Sequence, residues 1–338
     1  LRSDGSVVTW GDPYGGGNSS GVDFDGPDNG LTITQIFSSR YAYAALRSDG
    51  SVVSWGLPWA GGNSSGVDFD GPDNNLAVSK ISSTPFAYAA LRSDGSVITW
   101  GGAEYGGDSS GVVFDGPDNN LTVTQITSNT AAFAALRSDG SVVSWGQGGD
   151  PYLFGDSSFG ADSSGVDFDG PYNNLTVTRI FSNHAAFAAL RSDGSVVTWG
   201  AGYLNGFQHG GDSTGVDFDG PENNLTVTQI FSTGEAFSAL RNDGSVVTWG
   251  SATYGGDSSA VDFDGPDNNL WVTQIFSNLD AFAALRNDGS VVTWGNPYGG
   301  GDSSGVDFDG PYNNLKVVAF ANPFTDDQLL FPPSIGLS

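Results

Sequence analysis

An all-β fold, arranged as a seven-bladed propeller, is predicted by three features of this chain. The phrase Leu-Arg-(Ser/Asn)-Asp-Gly-Ser-Val-(Val/Ile)-(Thr/Ser)-Trp-Gly occurs seven times, beginning at Leu1, Leu46, Leu91, Leu136, Leu190, Leu240 and Leu285. Successive copies start 45, 45, 45, 54, 50 and 45 residues apart, a unit of the size that builds one blade of three or four strands. The 51 glycines, set among Asn, Asp and Ser and between short runs of Val, Thr, Phe and Trp, call for many short strands joined by tight turns.

Each element of the unit follows from its residues. In Ala132 to Arg137, as in Ala186 to Arg191, Ala and Leu fall on one face of a strand and Phe, Ala and Arg on the other, and the small residues let neighbouring sheets approach. The Asp-Gly that follows, flanked by apolar runs, predicts a two-residue hairpin turn into Ser-Val-Val-Thr-Trp. After Trp-Gly comes a loop of variable length, then Gly-Val-Asp-Phe-Asp-Gly-Pro-x-Asn-Asn-Leu, then a further strand of the Leu-Thr-Val-Thr-Gln-Ile-Phe-Ser type. A solenoid of such units would carry atypical caps at its ends, and none is seen, so a closed ring is expected. The chain opens on a hairpin without its preceding strand and carries that strand at Leu315 to Asn322. Pairing the two would complete a seventh blade and remove two open sheet edges. Residues 1–322 are therefore expected to form a single propeller, and residues 323–338 a tail or linker.

Composition narrows the function classes. The net charge is −27, and seven of the eleven Lys and Arg are the repeat arginines, so a phosphate backbone or anionic lipid would be repelled and nucleic acid is excluded as a partner. No apolar run reaches the roughly 20 residues of a membrane helix, so no membrane insertion is expected. There is no cysteine, which removes disulfides and thiol chemistry. A cysteine-free, acidic, Gly/Asn/Asp-rich repeat chain reads as extracellular or cell-surface, and the start within a repeat without any Met reads as a segment of a longer product.

The core Asp-Gly-x-Val-x-x-Trp-Gly, present in all seven units and followed by a Gly-rich segment, resembles the repeat of the regulator of chromosome condensation 1 (RCC1) family. The resemblance implies a seven-bladed β-propeller. It leaves function open, because that family includes guanine-nucleotide exchange factors, ultraviolet sensors that use clustered tryptophans, and a secreted bacterial inhibitor of β-lactamase. The family's Gly-x-x-His segment is replaced here by Asn-x-x-Ala-Phe-Ala, as in Asn129 to Ala134, and the Asp-Phe-Asp-Gly-Pro-x-Asn-Asn insertion lies outside the common repeat. The near-identical units look closer to the secreted bacterial branch than to chromatin-associated members.

The seven tryptophans Trp10, Trp55, Trp100, Trp145, Trp199, Trp249 and Trp294 hold one position per unit, as a core residue filling the gap between twisted sheets would. The repeat arginines are expected to pair with an aspartate of the same or a neighbouring unit. Calcium is the one cofactor the residues leave open. The second Asp of the insertion (Asp25, Asp70, Asp115, Asp169, Asp219, Asp264 and Asp309) is constant, but the first becomes Val113 in the third unit, and one constant carboxylate suits an Asx turn as well as a hard-oxygen cage. His184 and His209 stand in different contexts, and no nucleophile elbow, phosphate loop or paired-His motif occurs, so no enzyme is expected.

Binding is expected where the copies differ. Five loops carry an aromatic four or five residues after the Trp: Tyr14, Trp59, Tyr105, Tyr254 and Tyr298. The two long loops add Tyr152, Phe154, Phe159, Tyr203, Phe207 and His209. The sequence thus reads as a non-enzymatic extracellular module presenting aromatic loops to a protein or glycan. A structural unit of a larger adhesin or filament, with or without calcium, and a secreted enzyme inhibitor are the two other readings.

Overall fold

The computed structural model describes residues 1–26, 30–71, 75–147, 159–204, 207–220, 222, 224–308 and 316–318. They form two compact units, residues 1–147 and residues 159–318.

The first unit holds three antiparallel three-stranded sheets. These are β1 (Ile33–Ser38), β2 (Ala42–Arg47) and β3 (Val52–Gly56); β4 (Val78–Ser83), β5 (Ala87–Arg92) and β6 (Val97–Gly101); and β7 (Val123–Ser128), β8 (Ala132–Arg137) and β9 (Val142–Gly146). The second unit repeats the pattern with β10 (Val177–Ser182), β11 (Ala186–Arg191) and β12 (Val196–Gly200). A two-stranded ribbon of β13 (Tyr203–Leu204) and β14 (Phe207–Gln208) comes next. Two more sheets follow: β15 (Val227–Ser232), β16 (Ala236–Arg241) and β17 (Val246–Gly250), then β18 (Val272–Ser277), β19 (Ala281–Arg286) and β20 (Val291–Gly295).

The all-β expectation therefore holds, but the seven-bladed closure does not. Among the described residues there are six three-stranded sheets, three in each unit, and not seven. The first copy of the phrase, Leu1 to Gly11, forms no strand, and of its expected partner segment 315–322 only residues 316–318 are described, none of them in a strand. Among the described residues no third strand lies beside this hairpin, and a hairpin alone has too little apolar contact to persist as a sheet. The first hairpin instead flanks the next sheet: Ile33 N–H donates to the Gly5 carbonyl at 3.3 Å, and Val7 packs on Ile33, Ala45 and Trp55. Val317 repeats the Ile33 bond on Gly289 at 3.2 Å. The expected tail, 323–338, lies outside the described residues.

Two local devices shape each sheet. The first strand carries a register shift at its second residue, and the hydroxyl there (Thr34, Ser79, Thr124, Thr178, Thr228 or Thr273) donates to the carbonyl of the repeat Leu opposite. The hairpin between second and third strands is one residue longer than expected. In β8–β9, Arg137 N–H bonds the Ser141 carbonyl at 2.9 Å around Ser138, Asp139 and Gly140, with Gly140 at φ 85°. A type I turn closed by a left-handed glycine gives this three-residue loop. Asp139 Oδ1 accepts from the Ser141 N–H and hydroxyl, at 2.9 and 2.7 Å.

Within each unit the core lies between consecutive sheets. Ala42, Ala44 and Leu46 of β2 pack on Val78, Ile81, Tyr88, Ala90 and Trp100 of the following sheet. Ala186, Ala188 and Leu190 likewise pack on Val227, Ile230, Phe237, Ala239 and Trp249. The middle strand is thus buried on both faces, which is why it reads as Ala-Phe-Ala-Ala-Leu.

Candidate functional site

Six of the seven repeat tryptophans are buried, and each reaches back into the preceding copy. Trp55, Trp100, Trp145, Trp199, Trp249 and Trp294 donate Nε1–H to the carbonyls of Gly16, Gly61, Gly106, Gly160, Gly210 and Gly255, at 3.0 to 3.2 Å and 39 residues upstream. Each glycine has positive φ, and a Cβ on Gly61 would stand 2.5 Å from the Tyr88 ring. The indole stacks on the aromatic of its own second strand and meets, edge-on, the Phe of the preceding insertion: Trp145 lies 5.2 Å from Phe133 and 5.0 Å from Phe114. Trp10 departs from the expected core role, with 82% of its surface exposed.

The insertion acts here as a clasp. Its Phe (Phe24, Phe69, Phe114, Phe168, Phe218 and Phe263) packs on the next Trp, a role that sequence reasoning missed although this Phe is constant in every copy. The second Asp supplies its backbone: the carbonyl of Asp115 accepts from Asn120 and Leu121 N–H, each at 3.0 Å, and Asp25, Asp70, Asp169, Asp219 and Asp264 do the same in their copies. The side-chain turn expected of this second Asp is made instead by the first in two copies, Asp217 and Asp262 each accepting from a Gly N–H on Oδ1 at 2.7 Å. Among the described residues no three His, Asp or Glu converge into a group that could hold a metal. Asp309 lies outside the described residues. The repeat arginines find carbonyls where carboxylates were expected. Arg137 donates Nε–H to Phe114 O at 3.0 Å and Nη2–H to Val113 O at 2.5 Å, which is why this position tolerates Val in place of Asp.

After Trp-Gly the loops of five copies form short helical turns (Pro13–Gly17, Pro58–Ala60, Ala103–Tyr105, Ala252–Tyr254 and Pro297–Gly299) and that of the fifth copy forms the β13–β14 ribbon, while residues 148–158 of the fourth lie outside the described residues. Leu57 N–H donates to the Tyr41 carbonyl at 2.9 Å, and the Thr84 hydroxyl to the Tyr105 carbonyl at 3.2 Å. These bonds seat each loop on a turn between first and second strands, a second variable position that the sequence reading overlooked: Arg40-Tyr41, Pro85-Phe86, Thr130-Ala131, His184-Ala185, Gly234-Glu235 and Leu279-Asp280. Where the two variable positions meet in the first unit, their aromatics form one cluster. Tyr41, Trp59 and Phe86 lie 5.3 to 6.1 Å apart by ring centroid, Tyr105 sits 4.3 Å from Phe86, and the Arg40 guanidinium lies 5.4 Å over Tyr41. Trp59 is 55% exposed, while Tyr41, Phe86 and Tyr105 are half-buried.

At the equivalent positions of the second unit titratable side chains meet instead. Burial, and then the charge of Asp280, push the Glu235 carboxyl above its usual range. Burial followed by Glu235 and Asp280 also raises the Tyr254 phenol. His209 is buried, its ring 6.2 Å from that of His184, and burial followed by His209 lowers the His184 imidazole.

The remaining expected site residues scatter. Phe159 is buried, Tyr14 and Tyr298 are exposed, and Tyr203 and Phe207 lie in the short ribbon. Tyr152 and Phe154 lie outside the described residues. Of the eleven loop residues expected to bind, the structure draws Trp59 and Tyr105 into the cluster with Tyr41 and Phe86.

No family model and no curated protein matches the chain. Among solved structures it is similar to the ectodomain of the Physcomitrella patens receptor kinase CR4, with 14% identity over 79% of this chain and 62% of that one and a TM-score of 0.40. It is similar to human WBSCR16, with 18% identity over 77% of each chain and a TM-score of 0.44. It is also similar to the RCC1 protein Prp20p of Saccharomyces cerevisiae, with 18% identity over 80% of this chain and 73% of that one and a TM-score of 0.45.

Proposed function

We propose that this chain is a non-enzymatic extracellular binding module that presents its first-unit aromatic cluster to a protein or glycan partner. The observation that carries this reading is the convergence of Tyr41, Trp59, Phe86 and Tyr105 from two independently variable positions onto one surface. Large rings held rigidly, partly exposed and bordered by a cation, suit a partner that offers apolar area together with a hydrogen-bond acceptor. The repeated Trp–Gly latch makes the scaffold rigid enough to hold such a surface without a partner.

The test is a binding screen of the chain against glycan and peptide arrays, repeated with Trp59→Ala and Phe86→Ala. Loss of the hits in both variants is the expected result, with the hits retained in Tyr172→Ala, which removes an exposed ring of the second unit outside the cluster. Hits that survive both substitutions would remove the cluster as the binding face. The same latch also favours a second reading, a structural array in a larger assembly, for which the array screen would give no ligand.

A further inference from the structure

Five Asn-x-(Ser/Thr) triplets occur in the sequence: Asn18-Ser19-Ser20, Asn63-Ser64-Ser65, Asn120-Leu121-Thr122, Asn174-Leu175-Thr176 and Asn224-Leu225-Thr226. Such a triplet is the acceptor for N-linked glycan transfer when the asparagine stands on the surface of a secreted protein. All five asparagines are exposed. We propose that Asn18, Asn63, Asn120, Asn174 and Asn224 are N-glycosylated, an inference that rests on the extracellular reading above.

The repeat supplies its own control. Asn18 and Asn63 accept the Ser20 and Ser65 N–H on Oδ1, at 3.0 and 3.1 Å, which leaves the amide nitrogen to react and places a hydroxyl residue two positions on. In the other five units the equivalent residue is an aspartate, and Asp108, Asp162, Asp212, Asp257 and Asp302 form the same turn with bonds of 2.9 to 3.0 Å. The turn is therefore also formed by Asp, and what Asn adds at positions 18 and 63 is a carboxamide nitrogen, the atom that a glycan transferase activates. At the other three sites the asparagine gives its backbone N–H to an aspartate carbonyl at 3.0 to 3.1 Å while the side chain faces out. The hydroxyl partner there is also replaceable, since sister units carry Ala77, Trp271 and Lys316 at the same position.

The transfer balances with a lipid-linked oligosaccharide diphosphate as donor. The Asn Nδ2 forms a bond to the anomeric carbon, the bond from that carbon to the diphosphate oxygen breaks, the lipid diphosphate leaves with the electron pair, and the amide proton passes to a base of the transferase. The native protein, recovered from its source and treated with peptide N-glycosidase in heavy-oxygen water, should show labelled aspartate at the five positions by peptide mass spectrometry. Asn18→Asp, Asn63→Asp, Thr122→Ala, Thr176→Ala and Thr226→Ala each install the residue of a sister unit, so folding is kept and each should remove one glycan step in apparent mass. Bare asparagine in protein recovered outside the cell would overturn glycosylation and leave the binding module standing. Bare asparagine in protein found only inside the cell would overturn both.

Discussion

The indole N–H of Trp100 donates to the carbonyl of Gly61, 3.1 Å away and 39 residues earlier in the chain. The same glycine lies flat against the Tyr88 ring, at φ 93°, where only the absence of a Cβ permits the approach. A single pair thus fixes both the hydrogen bond and the spacing between two consecutive sheets.

Two substitutions separate these roles. Trp100→Phe removes the donor and leaves a buried carbonyl unpaired, at a cost of about 1–3 kcal/mol. Gly61→Ala keeps the donor but adds about 1–2 kcal/mol of left-handed backbone strain before the clash with Tyr88 is counted. Both should lower the urea midpoint, with Gly106→Ala behaving as Gly61→Ala does.

Tyr88 is fully buried, its hydroxyl donating to the Ala42 carbonyl at 2.6 Å and accepting the Ser39 N–H at 3.1 Å. Burial pushes this phenol above its usual range. Its folded value exceeds its unfolded one, so the stability it contributes is complete below about pH 10 and is lost as pH rises further. Tyr88→Phe should be less stable than the parent at pH 7 by about 1 kcal/mol, and the gap should narrow in alkali.

Glu235 gives the opposite outcome at neutrality. Burial and Asp280 raise its folded value above the ordinary 4.5, so the stability linked to its protonation is present below that pH and is lost as pH rises. Glu235→Gln should raise the melting temperature at pH 7 and leave it nearly unchanged at pH about 3.5. An equal rise at both pH values would refute this account.

The hairpin aspartates set the acid limit. At Asp139 and Asp193 burial pulls the carboxyl upward, but the serine hydroxyl and N–H outweigh it and hold the value below the usual range. Stability from these groups is present above about pH 4 and is lost as pH falls through the lowered folded values. Ser195→Ala removes the 2.7 Å hydroxyl bond to Asp193 and should cost about 0.5 kcal/mol at pH 7 and less in acid, read from urea midpoints.

Calcium is tested directly. With no three His, Asp or Glu converging among the described residues, a chelator should leave the melting temperature unchanged.

The sequence displayed the strands, because Ala-Phe-Ala-Ala-Leu and Val-Thr-Gln-Ile carry their burial in their alternation. The sheet count differs because a repeated phrase is not by itself a completed sheet: Leu1 to Gly11 has no third strand beside it among the described residues. The roles of Arg137 and Phe114 were hidden for a related reason: one donates to carbonyls, which every residue possesses, and the other acts on the following copy. Half of the aromatic cluster was visible in the loops at Trp59 and Tyr105. The other half, Tyr41 and Phe86, sits in a turn that varies by only two residues per unit and is brought beside the loops by backbone bonds.

Because each latch closes on residues made 39 positions earlier, no Trp–Gly bond has to wait for a distant part of the chain. Short sequence separation favours rapid folding, and a sheet can lock onto its predecessor while the next is still being synthesised. Growth of such a chain is sequential, and the copying or deletion of one unit during evolution disturbs only the two neighbours that grip it.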